Sequence, residues 1–231
     1  MSGRQGVALV TGSARRIGAA IARDLARHGF DLVLHHGGSR QEAGALADEI
    51  SANGGRAIAL QADLTDRAAM GELVTRAREA MGRIDLLVNN ASVFEADSAQ
   101  APDMKLWDLH FAVHLEAPAL LGAAFAAQED LEGGLIVNII DQRVWRLNPN
   151  FFSYTLSKAA LWTATQTMAQ AFAPRIRVNA IGPGPTMPNS RQSEADFAAQ
   201  LSGLPLRKGA APDDFGATIR YLYAMPSITG Q

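Results

Sequence analysis

Apolar residues recur along this chain in short runs of strand type, each followed by a longer segment with one apolar face. The runs are residues 7–10, 31–34, 56–60, 84–88, 134–140 and 175–180. Between them the pattern predicts helices. Ile17, Ile21 and Leu25 share one face of the first, which Gly29 ends; a second covers 40–52 ahead of Asn53-Gly54-Gly55; a third reaches Met81 and stops at Gly82. A long helix over 103–129 should bend near Pro118, and another over 151–172 should end at Pro174. Strands alternating with helices imply one α/β domain over 1–231, with a doubly wound, mostly parallel sheet, right-handed crossovers and helices on both faces. Residues 185–205 turn polar and irregular apart from a helical patch at 194–201, as in segments that close over a substrate.

Composition narrows the class. A 231-residue chain that is 48% hydrophobic buries one good core. A net charge of -2 supplies no basic field, so neither a nucleic acid nor an anionic membrane is expected as a partner. The absence of cysteine excludes disulfides, thiolate catalysis and Cys-ligated metal, and suits a cytoplasmic protein. The first ten residues hold no long apolar stretch of export type, and the longest apolar run, 117–127, is about half of a membrane span. It reads as a buried helix.

Candidate chemistry gathers at the strand ends. The first strand runs into Thr11-Gly12-Ser13-Ala14-Arg15-Arg16-Ile17-Gly18 and a helix start, where backbone N–H groups and the helix dipole form a cradle for a pyrophosphate. The G-x-G-x-x-G spacing is absent. Arg16 is unsuited to a permissive turn position but suited to pairing with phosphate or substrate, and a pair of solvated cations is the alternative for Arg15 and Arg16. Where an NAD-binding chain carries an acid after its second strand, this one has His35-His36-Gly37-Gly38-Ser39-Arg40. No carboxylate repels a 2'-phosphate there, and Arg15, His36, Ser39 and Arg40 are available to hold one, which favours NADP(H). Tyr154 and Lys158, four apart on a helix, share a face, and a neighbouring cation is expected to lower the phenol's pKa. Asp141 ends the fifth strand thirteen residues before Tyr154, so the three groups can meet one substrate.

With Tyr154-x-x-x-Lys158, Thr11-Gly12 and Gly18 in order, the chain resembles the short-chain dehydrogenases/reductases, Rossmann-type enzymes that bind a nicotinamide cofactor. Their glycine pattern is T-G-x-x-x-G-x-G, and Arg16 stands at its middle glycine. The resemblance implies cofactor contacts from Gly12, Arg15, Arg16, Ile17, Gly18, Asp63, Leu64, Asn90, Ala91, Ser92, Tyr154, Lys158, Pro183, Gly184 and Thr186. Asn90-Ala91-Ser92-Val93-Phe94 is similar to the pteridine reductases, in which the aromatic ring stacks on the pterin; Ser92 and Phe94 are then substrate residues, with Arg16, Asp141 and Tyr154. His114 stands where most of the family has an active-site Asn supporting a water relay, and its spacing to Pro118 resembles dihydromonapterin reductases. For Asp63 a helix cap, for Phe94 and His114 a core role and for Asp141 a strand-end cap are the structural alternatives.

Asp141 bears on the reaction. Most of the family has Ser there, and an ionised carboxylate would repel the oxyanion of a reduced ketone but assist protonation of an imine-like nitrogen. The expected function is therefore NADPH-dependent reduction of a dihydropterin or dihydrofolate-like C=N bond. The alternatives are a carbonyl reductase for 3-oxoacyl or sugar substrates and a non-catalytic NADP(H) sensor. The resemblance also implies a homodimer or homotetramer paired through the 103 and 151 helices, and a last strand that the sequence as given does not include.

Overall fold

The computed structural model describes residues 4–188 and 192–231, so residues 189–191 of the expected 185–205 lid lie outside the described residues. Six strands, β1 (Gly6–Val10), β2 (Phe30–His36), β3 (Ala57–Gln61), β4 (Leu86–Asn89), β5 (Gly134–Ile139) and β6 (Ile176–Ile181), form one parallel sheet in the order β3-β2-β1-β4-β5-β6. Helices α1 (Arg16–Arg27), α2 (Arg40–Ala52) and α3 (Arg67–Met81) follow the first three strands, and α6 (Phe152–Phe172) precedes β6. The predicted strands and most of the helices are therefore present to within one or two residues.

Both sheet faces are covered, which is why the central strands read as unbroken apolar runs. Alternate side chains serve opposite cores. Leu9, Val33, Leu87, Ile136 and Val178 pack with Leu73 of α3 and Ala169 of α6. Ala8, Val10, Leu32, Leu34, Leu86, Leu135 and Val137 pack with Ile21 and Leu25 of α1 and Leu46 of α2. Asn138, fully buried in β5, accepts from Asn89 at 2.8 Å and donates to Thr165 of α6 at 2.8 Å, so it pins the Tyr154 helix to the sheet.

The expected long helix is two helices, α4 (Met104–Phe111) and α5 (Ala117–Ala126), joined by a π turn at Ala112–Glu116. Pro118 has no N–H for the carbonyl four residues back and its ring crowds that carbonyl. The ladder widens upstream instead, with the Ala117 N–H reaching the Ala112 carbonyl. His114 thus lies in the π turn, and such turns often mark functional sites. Taken together, Met104–Ala126 is long and apolar enough to cross a membrane by length and composition, with only 39% of its apolar window buried. In this fold Ala117, Leu121 and Phe125 are core residues.

The pattern reading missed α8 (Pro212–Ala224), although Pro212, the acidic Asp213 and Asp214, and the spacing of Phe215, Ile219 and Leu222 are a helix signature. It packs on α1, where Arg220 meets the buried Asp24 at 2.8 Å. Arg177 in β6 then gathers the Tyr223 and Met225 carbonyls at the end of α8. The segment 229–231 runs beside β6: Gly230 N–H donates to the Val178 carbonyl at 2.7 Å and Ala180 N–H to the Gln231 carbonyl at 2.6 Å.

Candidate active site

Strand order reverses between β1 and β4, and ligands of open α/β sheets bind at the carboxyl ends of strands flanking such a reversal. Thr11 and Asn90 close the seam. The Thr11 hydroxyl accepts from the N–H groups of Asn90 and Ala91 at 2.9 and 3.0 Å, and the Asn90 amide donates to the Thr11 and Gly12 carbonyls at 2.9 and 3.1 Å. Gly12 has a φ of 62°, and a Cβ there would lie 2.8 Å from the Ala91 backbone, so only glycine lets the two loops meet. The start of α1 has no side-chain cap and no acid in its first turn. Its N–H groups are left to an anion, and the cradle fits a dinucleotide pyrophosphate.

From this seam a cleft of about 500 Å³ runs over Gly12, Arg15, Ile17, Gly18, His36, Ser39, Asp63, Leu64, Asn90, Ala91 and Ser92. No acid ends β2, which fits a phosphorylated adenosine ribose. Arg40 opens α2 and is not among the lining residues, a departure from its expected role. Arg15 reaches Glu42 at 3.7 Å. Asp63 is exposed and accepts from the Thr65 N–H and hydroxyl at 2.9 and 2.8 Å, while the cap of α3 is Asp66.

Sequence reasoning missed His35, which fastens this cradle from below. Buried at 2% exposure, its Nδ1 accepts the Gly12 N–H at 3.1 Å and its Nε2 donates to the Ala62 carbonyl at 3.1 Å. Burial pushes its pKa down to about 4.

A second cleft, about 780 Å³, adjoins the first and is lined by Arg16, Ser92, Phe94, Asp141, Tyr154, Lys158, Pro183, Gly184 and Thr186 among others. Here the Tyr154 hydroxyl donates to Asp141 Oδ2 at 2.9 Å. Lys158, 2% exposed, donates to the Ile139 carbonyl at 2.8 Å, and burial lowers its pKa to about 8. The expectation that Lys158 lowers the phenol's pKa is not met. Burial, followed by the charge of Asp141, holds Tyr154 well above the usual phenol value. The cation opposing that rise is Arg143, a residue sequence reasoning passed over, whose Nη1 lies 3.5 Å from Asp141 Oδ1.

Phe94 lines the cleft as expected, stacked on Phe151 with ring centroids 4.4 Å apart and edge-to-face with Tyr154 at 4.8 Å. Arg143 stands 5.0 and 4.8 Å from the Phe94 and Phe151 centroids, within cation–π range of both.

A model of the short chain dehydrogenase family matches residues 6–198. The chain belongs to the short-chain dehydrogenase family. It is similar, at 54% identity and a TM-score of 0.95, to the FolM alternative dihydrofolate reductase 1 of Brucella canis, solved with NADP, over 98% of this chain and 90% of that one. The corresponding protein of Brucella suis, also solved with NADP, gives 54% identity and a TM-score of 0.95 over 98% and 92% of the two chains. A 3-oxoacyl-[acyl-carrier-protein] reductase of Synechocystis is 33% identical over 97% of this chain and 93% of its own length.

Two positions behave differently from their expectation as short-chain dehydrogenase residues. Arg16 adopts the left-handed conformation, φ 52°, so it does fill a glycine-type turn position, at a cost of roughly 1–2 kcal/mol. Its guanidinium crosses the cleft to the Pro188 and Met187 carbonyls at 3.0 and 3.4 Å. His114 lies outside both clefts. Its Nε2 accepts from the Val93 N–H at 3.1 Å with the Ser92 hydroxyl 3.0 Å away, and its Nδ1 donates to Ser157 at 2.8 Å. Burial, then the charge of Lys158, keeps the ring neutral by pushing its pKa well down. This geometry suits a brace for Ser92 and Val93 rather than a water relay to Lys158.

The His35 brace has a pH signature. The unfolded chain binds this proton below about 6.5 and the folded one only below about 4, so stability is lost as pH falls through that window. The loss should approach about 3 kcal/mol, and His35→Gln should remove most of it. Urea unfolding of both proteins at pH 7, 5.5 and 4.5 measures the difference; parallel losses would show that His35 is not the titrating group.

Proposed function

We propose that this chain is an NADPH-dependent reductase acting on the C=N bond of a dihydropterin or dihydrofolate-like ring. The observation that carries the reading is the Tyr154–Asp141 pair: the phenol proton points at a carboxylate, where ketone reduction wants a second donor. The similarity to the Brucella dihydrofolate reductases supports it. NADPH, when bound, supplies the hydride.

The chain's own residues supply the rest. Tyr154 stays protonated at neutral pH because burial and Asp141 hold its pKa up, so it is a proton donor for a ring nitrogen. Asp141 orients that proton and offsets positive charge developing on the ring. Lys158 stays a buried cation up to about pH 8 and suits a cofactor ribose. Phe94 and Phe151 form an aromatic wall for a flat ring, and Gly12, Gly18 and the start of α1 hold the pyrophosphate. His114 is a positioning residue, acting through Ser92. We place the protein in the cytoplasm, in keeping with its lack of cysteine.

The similarity to the Synechocystis reductase favours a second reading, carbonyl reduction. Asp141→Ser separates the two. Dihydropterin turnover should fall about 100-fold or more, on the scale of disabling acid catalysis, because the Tyr154 proton loses its orienting carboxylate and the ring its counter-charge, while weak ketone reduction holds or improves. Intact pterin turnover, or equal losses on both substrates with a lower Tm, would make Asp141 a structural cap.

Cofactor preference is measurable separately. If Arg15, His36 and Ser39 hold a 2'-phosphate, NADPH should bind more tightly than NADH by about 1–3 kcal/mol. Equal affinities in calorimetric titrations at one salt concentration contradict that arrangement.

We also propose a homodimer or homotetramer paired through α4, α5 and α6. Met104, Leu120 and Leu156 are exposed there, as is Ala123, with Trp162 partly so, whereas Leu161 turns into the chain's own core. Light scattering at micromolar concentration should give at least twice the chain mass, and a monomer refutes the pairing.

A further inference from the structure

The cleft beside Tyr154 does not end at Arg143. A further cavity of about 360 Å³ opens past it, between the 142–148 turn and α7 (Glu194–Ser202), and shares Gln142, Arg143, Pro185 and Gln200 with the main cleft. Among the described residues no carboxylate lines this cavity, and its charged groups are Arg143 and Arg146. The two differ in what they are free to do. Arg143 is 19% exposed, tied to Asp141 and set against Phe94 and Phe151. Arg146 is exposed, its N–H bonds the Gln142 carbonyl, and its guanidinium has no acidic partner among the described residues. Neutral amides of Gln142, Asn148 and Gln200 stand around it.

A ring placed against Tyr154 and Asp141 can extend a long substituent past Arg143 and into this cavity. An aromatic wall followed by a cationic, acid-free pocket matches a flat ring carrying an anionic tail, and a guanidinium binds carboxylate or phosphate oxygens in pairs. We propose that this cavity is a subsite for the anionic substituent of the substrate, a carboxylate or phosphate ester, with Arg146 as the recognising cation and Arg143 at its entrance. The inference rests on the pterin reading for the ring, and not on it for the tail.

The test compares Arg146→Glu with the parent protein, since an exposed residue without a side-chain partner is replaced with little effect on folding. NADPH oxidation is measured with dihydrofolate, whose tail carries carboxylates, with dihydroneopterin monophosphate, and with uncharged dihydrobiopterin. For at least one anionic substrate, kcat/KM relative to dihydrobiopterin should fall about 10-fold, through KM, and the loss should shrink with added salt. Which of the two responds identifies the anion. Equal ratios in both proteins overturn the subsite while leaving the pterin reading intact. Should the parent protein reduce no dihydropterin, that reading fails, and calorimetric titration of the NADP-loaded protein with p-aminobenzoylglutamate and with phosphoserine decides the subsite. Saturable binding of either that Arg146→Glu abolishes supports it; no binding, or binding unchanged in the variant, overturns it.

Discussion

Everything at this site depends on a seam between two strands that are not neighbours in sequence. With β1 beside β4, the loops leaving them diverge to opposite faces and open a crevice that the sheet itself does not fill. Such a crevice exposes backbone polar groups, and Thr11 and Asn90 satisfy them across a separation of 79 residues. His35 adds a third tie from β2. The glycine loop is therefore held by side chains from below, so that its upper N–H groups are left to face a ligand. Substituting Thr11 or His35 would act on cofactor binding through loop geometry rather than through lost contact.

The proton chemistry is arranged by the same economy of burial. Tyr154 and Lys158 are both almost inaccessible, and burial alone drives their pKa values in opposite directions, the phenol up and the ammonium down. The two shifts move the groups apart, towards a firmly held phenol proton and a more weakly held ammonium proton. Asp141 acts on each with the same charge, disfavouring the phenolate and favouring the ammonium. Replacing the family's usual serine by this carboxylate thus changes more than a hydrogen bond. Together with burial, it makes the tyrosine a group that keeps its proton until hydride addition to the C=N carbon leaves the ring nitrogen basic enough to take it.

Much of this was legible because it rests on short-range rules. The βα alternation, the glycine at position 12 and the four-residue spacing of Tyr154 and Lys158 follow from periodicity and φ/ψ preferences, and all were located from the sequence. The errors share a cause: they concern side chains whose surroundings come from distant segments. His35 reads as part of the turn after the second strand until Ala62, just past β3, accepts from its ring. Arg143 carries no signal beyond a charge two residues after Asp141, and its importance appears only when the loop after β4 brings Phe94 to it. His114 stands out in the sequence, but the direction its ring nitrogens take depends on Ser157 and the loop at Val93. Lys158 was paired with Tyr154 on helical spacing, which gives proximity but not the burial that governs both pKa values.

Three places where local rules are broken lie around the cleft. Arg16 holds a left-handed backbone that glycine would hold without strain, the helix carrying His114 widens into a π turn, and the buried Arg143 Nε has no hydrogen-bond partner among the described residues. Each costs free energy that the two apolar cores must offset. Arg16 shows what the strain accomplishes. A glycine in its place would relax the turn, but it would remove the only described side chain that links the glycine loop directly to the carbonyls at 187–188. Backbone strain at the cofactor cradle is thereby exchanged for a contact with the segment that borders the substrate cleft, so that whatever moves one loop is felt by the other.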